Sequence, residues 1–147
     1  VAWCVGHILA PAPPEAYGEE HRQWRLETLP IVPERWRLEA KVPALLTSLK
    51  AHLAKATSVV HAGDPDREGQ LLVDEVLDYL AYRGPVERLR VQDLRPEAIR
   101  RALAALEPNA RYASLSAAAL GRQRADWLYG MNMTRLYTLL SREGGYD

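Results

Sequence analysis

Apolar and polar positions change period several times along the chain, and each change predicts an element. Residues 1–5, VAWCV, form an apolar run closed by Gly6-His7 and predict a short strand. Residues 9–33 are rich in Pro, Glu and Tyr and predict an extended surface excursion. In RWRLEAKV, residues 35–42, apolar and charged side chains alternate, the period of a half-exposed strand. Leu45, Leu49 and Leu53 then recur at helical spacing and predict a helix over 44–56. TSVVHAG, residues 57–63, is β-branched and Gly-terminated and predicts a buried strand. Leu72, Val73, Val76, Leu77 and Leu80 make one apolar stripe, so residues 67–82 predict a helix that Gly84-Pro85 stops. VERLRV predicts another short strand, and RPEAIRRALAAL a helix with Pro96 in its first turn and Glu97 beside the positive end of its dipole. A long helical pattern over 115–140 follows, with a break expected near Gly130. Strands alternating with helices of this length predict an α/β layer structure with a mostly parallel sheet.

Composition narrows the function classes. The 147 residues suffice for one domain with a hydrophobic core. Lys+Arg and Asp+Glu both number 19, so no global positive field advertises a polyanion, and any such site must be local. The single cysteine, Cys4, excludes an internal disulfide, fits a reducing cytosol and is expected as a buried core thiol. The sequence carries no membrane-length apolar run and no signal peptide. It opens mid-pattern without Met and stops at GGYD, so it reads as a fragment or an excised domain.

The densest chemistry lies in HAGDPDREGQ, where Asp64, Asp66 and Glu68 occupy alternate positions directly after the apolar run Ser58-Val59-Val60. Ligand sites in open α/β sheets lie beyond the carboxyl ends of the strands. Carboxylates crowded there repel unless a cation or a proton sits between them. Mg²⁺ is the natural occupant, because it takes oxygen ligands and is held by one or two carboxylates plus a substrate phosphate. Gly69 would let backbone approach closely where the next helix begins, and helix N-terminal amides favour an anion. A metal-assisted phosphoryl-transfer site fits the pattern, and so does a helix N-terminus decorated with acids for its dipole. Counted from Asp64, the spacing to Glu75 also approaches a calcium-loop pattern, but a strand precedes it where that loop needs a helix.

AGDPDREGQLLVDEVLDYL resembles the acidic motif of the Toprim domain in type IA DNA topoisomerases, in particular their topoisomerase III branch. VAWCVGHIL, PEAYGEEHRQWRLETLPIVPERWRLE and GRQRADWLYGMNMTRLYTLL resemble successive segments of the same family, so the resemblance covers nearly all of the chain. It implies a Rossmann-like α/β Toprim fold, its mostly parallel sheet flanked by helices, with a long C-terminal helix leading to the next domain. Residues 1–110 would be a Toprim-type domain lacking its first strand, and 111–147 the helical start of the following core domain. The implied activity is cutting, passing and resealing single DNA strands through a Tyr nucleophile. Asp64, Asp66 and Glu68 would be catalytic, with Asp64 and Asp66 holding Mg²⁺ and Glu68 near the metal. Arg67 would contact DNA or serve as a structural salt-bridge partner. Gln70 stands where other branches carry Glu. The first Toprim strand, with its Glu-Lys, and the nucleophilic Tyr would both lie outside the chain. None of the seven Tyr present has the nucleophile's context, so the fragment alone would be inactive.

Arg122 and Asp126, four apart in the last helical pattern, stack on one face, where the carboxylate can steady a guanidinium that contacts phosphate. The resemblance sets both near the scissile strand. Arg124 points about 200° away from Arg122 and shares its stripe with Leu128, Met131 and Arg135, more an intramolecular or interdomain face. It is a weaker candidate for DNA, as is Arg135. His7 resembles a family position near the site, although a lone His more often packs or caps. Trp3, Trp24, Trp36 and Trp127 could stack on bases or anchor the core of a chain without Phe. The expected partners are single-stranded regions of DNA and the remaining domains of a cytoplasmic, nucleoid-associated parent. The rival readings are a noncatalytic nucleic-acid-binding Toprim module and another Toprim enzyme, a primase or nuclease. ADWLYGMNMTR, which resembles the type IA branch, argues against the second.

Overall fold

The computed structural model describes residues 1–4 and 6–143. In chain order the elements are β1 (Leu9–Pro11), β2 (Leu38–Ala40), α1 (Pro43–Leu53), β3 (Val59–His61), α2 (Arg67–Tyr79), β4 (Val86–Arg88), α3 (Pro96–Ala104), β5 (Glu107–Pro108) and α4 (Ala113–Glu143). They fall into two compact units, one made of Val1–Leu9 and Ala40–Leu120, the other of Ala10–Glu39 and the chain from Gly121 onward.

The first unit is built on a three-stranded sheet ordered β3-β4-β5. β3 and β4 are parallel, with Val59 opposite Val86 and His61 opposite Arg88, the pairing that a strand-helix-strand crossover through α2 produces. β5 runs antiparallel to β4, Arg88 opposite Glu107. The sheet is therefore mixed where the sequence pattern predicted a mostly parallel one, because a two-residue strand has no periodicity to read. The predicted strand over 1–5 is not formed at residues 1–4, where Val1, Ala2 and Trp3 are exposed; Val5 lies outside the described residues. The first strand is β1 instead, which follows the buried Ile8 and pairs with β2. β3 stands at its predicted place but is only partly buried: Val60 faces solvent and His61 is the covered residue.

Helix α1 starts on Pro43 at its first turn and buries Leu46, while Leu45, Leu49 and Leu53 are half-buried. Helix α2 buries Leu71, Val76 and Leu77 together with two polar residues, Gln70 and Glu75, so its covered face is rotated from the all-apolar stripe. It ends before Gly84-Pro85. Ala81 turns left-handed at φ 53° and the Tyr82 amide donates back to the Leu77 carbonyl at 2.9 Å, which closes the last turn.

In the second unit the excursion after β1 is an ordered layer. Three single 3₁₀ turns, Pro14–Ala16, Glu19–Arg22 and Leu26–Thr28, fold it, and Ala12, Pro14, Ile31 and Pro33 are buried. Asn132 on α4 clamps it: Ile31 N donates to Asn132 Oδ1 at 2.6 Å, and Asn132 Nδ2 donates to the Ile31 carbonyl at 3.0 Å. Tyr17, Trp36 and Trp127 pack edge to face with ring centroids 5.3 to 6.5 Å apart, supplying the buried area that Phe would elsewhere. The break expected near Gly130 does not occur. α4 runs unbroken for 31 residues, since one exposed glycine costs about 1 kcal/mol, too little to interrupt so long a helix.

Candidate functional site

The acidic residues sit in the turn that joins β3 to α2. Two glycines bring its ends together. A Cβ on Gly69 would stand 2.6 Å from the Asp64 amide nitrogen and carbonyl oxygen, and a Cβ on Gly63 would fall on the Gly69 carbonyl. Asp66 is the N-cap of α2, its extended backbone (φ −117°, ψ 179°) placing Oδ1 to accept the Gly69 amide at 2.7 Å. Asp64 and Asp66 are exposed, and Glu68 in the first helical turn pairs with Arg67 (Nε to Oε1 3.5 Å). Both side chains of this neighbour-to-neighbour pair are about half exposed. Glu75 is buried deep in α2, which removes the calcium-loop reading.

Among the described residues no three His, Cys, Asp or Glu side chains converge on one point, so Asp64, Asp66 and Glu68 are not gathered into a closed three-carboxylate cage. The reason is local: one Asp66 oxygen is engaged by the helix and Glu68 leans to Arg67. The donor set still suits Mg²⁺, because it is all hard carboxylate oxygen and stands at the N-terminal end of α2, where the helix dipole favours an anion such as phosphate.

Beneath the turn lies a buried polar network that sequence reasoning missed. Arg88 on β4 is 2% exposed, Gln70 0% and His61 1%. Arg88 Nη1 donates to the carbonyls of His61 (3.1 Å), Gly63 (2.8 Å) and Leu89 (2.6 Å), and Nη2 to that of Asp64 (2.6 Å). Its Nε donates to Gln70 Oε1 at 2.7 Å. Gln70 Nε2 in turn donates to Asp74 Oδ2 (2.9 Å) and Asn109 Oδ1 (2.8 Å), and Asn109 Nδ2 to Asp74 Oδ1 (2.7 Å). His61 Nδ1 accepts the Gly63 amide at 3.2 Å, which leaves the ring proton on Nε2, facing the Gln70 carbonyl at 3.2 Å. Burial, the largest cause, holds His61 below its ordinary pKa; the nearby Arg88 charge acts the same way, against the Gln70 carbonyl and Asp74. Burial likewise lowers Arg88. The available signal was polar residues at helical spacing, Gln70 and Asp74, beside a His closing an apolar strand.

In the second unit Arg122 Nε and Asp126 Oδ2 are 3.4 Å apart on an exposed face of α4, as their spacing predicts. Arg124 lies half-buried over the Trp36 ring, 5.3 Å from its centroid, so its guanidinium is directed to an indole face. Arg135, on the same stripe, is buried over Trp24 at 5.2 Å and donates to the His21 carbonyl at 2.7 Å.

A model of the Toprim domain family matches residues 1–94. The chain belongs to the Toprim domain family. The Toprim match contains the acidic turn together with His61, Gln70, Asp74 and Arg88, while Asn109 and all of α4 lie beyond it. Over its whole length the chain is 51% identical to the DNA topoisomerase 3 of Salmonella typhimurium and 49% to that of Vibrio cholerae, spanning 24% of each. A DNA topoisomerase 3 of Bacillus subtilis is 34% identical over 94% of the chain, which spans 20% of that relative. The chain therefore represents about a quarter, or less, of the length of these curated relatives. Of the remaining candidates in the Toprim region, His7 and Trp3 are exposed, and Cys4 is half-buried, with burial raising its thiol pKa. No described helix is long and apolar enough to cross a membrane.

Proposed function

We propose that this chain is the Toprim portion of a type IA DNA topoisomerase of the topoisomerase III kind, acting with Mg²⁺ on single-stranded regions of DNA. The observation that carries the reading is the turn itself: exposed Asp64 and Asp66 at the carboxyl end of β3, on the N-terminal end of α2, in a chain of the Toprim family. Asp64 and Asp66 would hold the cation and Glu68 would stand beside it. When bound, Mg²⁺ would offset and orient phosphate charge. The positive end of the α2 dipole favours the same anion.

Arg122, steadied by Asp126, is the main DNA contact in this reading, with Arg67 and Arg124 as lesser ones. Residues 1–110 form the Toprim-type part and 111–147 the start of the next domain. The Tyr nucleophile belongs to a part of the parent protein outside these 147 residues, and the parent works in the cytoplasm, at the nucleoid. Bringing nucleophile and phosphodiester together supplies much of the barrier reduction, so the chain alone holds one side of a divided active site.

The test is relaxation of negatively supercoiled plasmid by the full-length parent with Mg²⁺. Relaxation through a 5′ phosphotyrosyl adduct, abolished by Asp64→Asn with Asp66→Asn and absent for the 147-residue chain, is expected. DNA binding without cleavage would identify a noncatalytic module, and cleavage without a covalent adduct a nuclease.

A further inference from the structure

A guanidinium placed at 2% exposure on a short strand is expensive, since an apolar residue of similar volume would fill the same space without desolvating a charge. What Arg88 does with its donors explains why it is there. Three of the carbonyls it reaches, those of His61, Gly63 and Asp64, belong to the end of β3 and the turn that carries the carboxylates. Backbone leaving a sheet loses its ladder partners, and buried carbonyls there need other donors. The His61 carbonyl still accepts the Leu89 amide at 2.9 Å, so the planar fork supplies the donors at Gly63 and Asp64 and ties all three carbonyls in one relative orientation, which a flexible point charge cannot do.

The fork is itself held. Gln70 spends its amide hydrogens on Asp74 and Asn109, so its oxygen is left aimed at Arg88 Nε. A continuous relay therefore runs from Asn109, through Gln70 and Arg88, to the main chain of Asp64.

We propose that Arg88 is a positioning residue for the acidic turn, holding Asp64 by its backbone where it can ligate a divalent cation, with Gln70 and Asn109 fixing the guanidinium. The inference rests on the metal reading of the turn. Arg88 touches neither cation nor DNA in this role. Its effect reaches the metal only through the placement of Asp64.

The experiment uses the full-length parent protein and Mn²⁺ as the probe. Mn²⁺ binding is measured by calorimetry without DNA, and single-stranded DNA binding by anisotropy in EDTA, for wild type, Arg88→Lys, Asn109→Ala and Asp66→Asn. Arg88→Lys keeps the charge and loses the fork, and removing such an outer partner of a metal ligand weakens metal affinity by about tenfold or more. Asn109→Ala should shift Mn²⁺ affinity in the same direction by less, and metal-free DNA binding should stay at the wild-type level in both. Unchanged Mn²⁺ affinity in Arg88→Lys and Asn109→Ala, with Asp66→Asn weakened, would overturn the positioning role while leaving the metal site standing, even if melting temperatures fall. Should Arg88→Lys not fold, Asn109→Ala decides by the same criterion. Equal Mn²⁺ binding by wild type and Asp66→Asn would instead remove the metal reading, and this inference with it.

Discussion

Asp66 Oδ1 accepts the Gly69 amide at 2.7 Å, so a carboxylate suited to a cation also caps the helix that follows it. The two duties separate chemically, because Asn caps a helix as well as Asp does but carries no charge. Asp66→Asn should leave the melting temperature near wild type and weaken Mg²⁺ or Mn²⁺ binding. Asp66→Ala should lose both, at a stability cost of about 1 kcal/mol. Thermal melts and metal titrations of the pair check this; equal metal binding by wild type and Asp66→Asn would discard the ligand role.

His61 makes the turn sensitive to acid. Its Nδ1 already accepts the Gly63 amide, so a second ring proton would meet a donor in a buried site. The folded pKa lies below the ordinary 6.5, hence the unfolded chain takes up a proton that the folded chain resists. Stability from this source is complete above 6.5 and is lost as pH falls from there through the depressed folded value. Melting temperatures followed through this window should drop, and the drop should be shallower in His61→Gln. Parallel pH profiles for the two proteins would mean that His61 does not carry the effect.

Ala81 sits at φ 53°, a left-handed backbone that costs a residue with a Cβ roughly 1–2 kcal/mol. Ala81→Gly relieves this at the C-terminus of α2, offset in part by glycine's freedom in the unfolded chain. The expected result in denaturant melts is a net gain of a few tenths to about 1 kcal/mol. A loss of stability would show that the Ala81 methyl contributes packing of its own.

The two arginines on α4 should behave differently. Arg122→Ala should weaken single-stranded DNA binding and lower the salt dependence by about one phosphate contact, with little change in stability. Arg124→Ala removes the stack on Trp36 and should cost about 0.5–2 kcal/mol of stability with less effect on DNA. Anisotropy at several salt concentrations together with thermal melts separates them. The opposite assignment of effects would mean that DNA meets the Trp36 face.

The amino-acid sequence by itself determined the elements whose signals are local. β-branched residues before a glycine set β3, the stripe through Val76 and Leu77 set α2, and the acids between them had to fall in the connecting turn. The four-residue spacing of Arg122 and Asp126 likewise dictated their pairing on one helix face. Tertiary structure decided what those faces meet. VERLRV reads as an ordinary alternating strand, and nothing in it tells that Arg88 turns inward to reach carbonyls 24 to 27 positions earlier. Gln70 and Asn109, 39 positions apart, share a hydrogen bond only because β5 lays its two residues along β4. Periodicity reports which side of an element is covered, whereas a buried polar contact depends on which distant segment does the covering. For the same reason the Trp36 face beneath Arg124 and the Asn132 clamp on Ile31 had no signature in the chain.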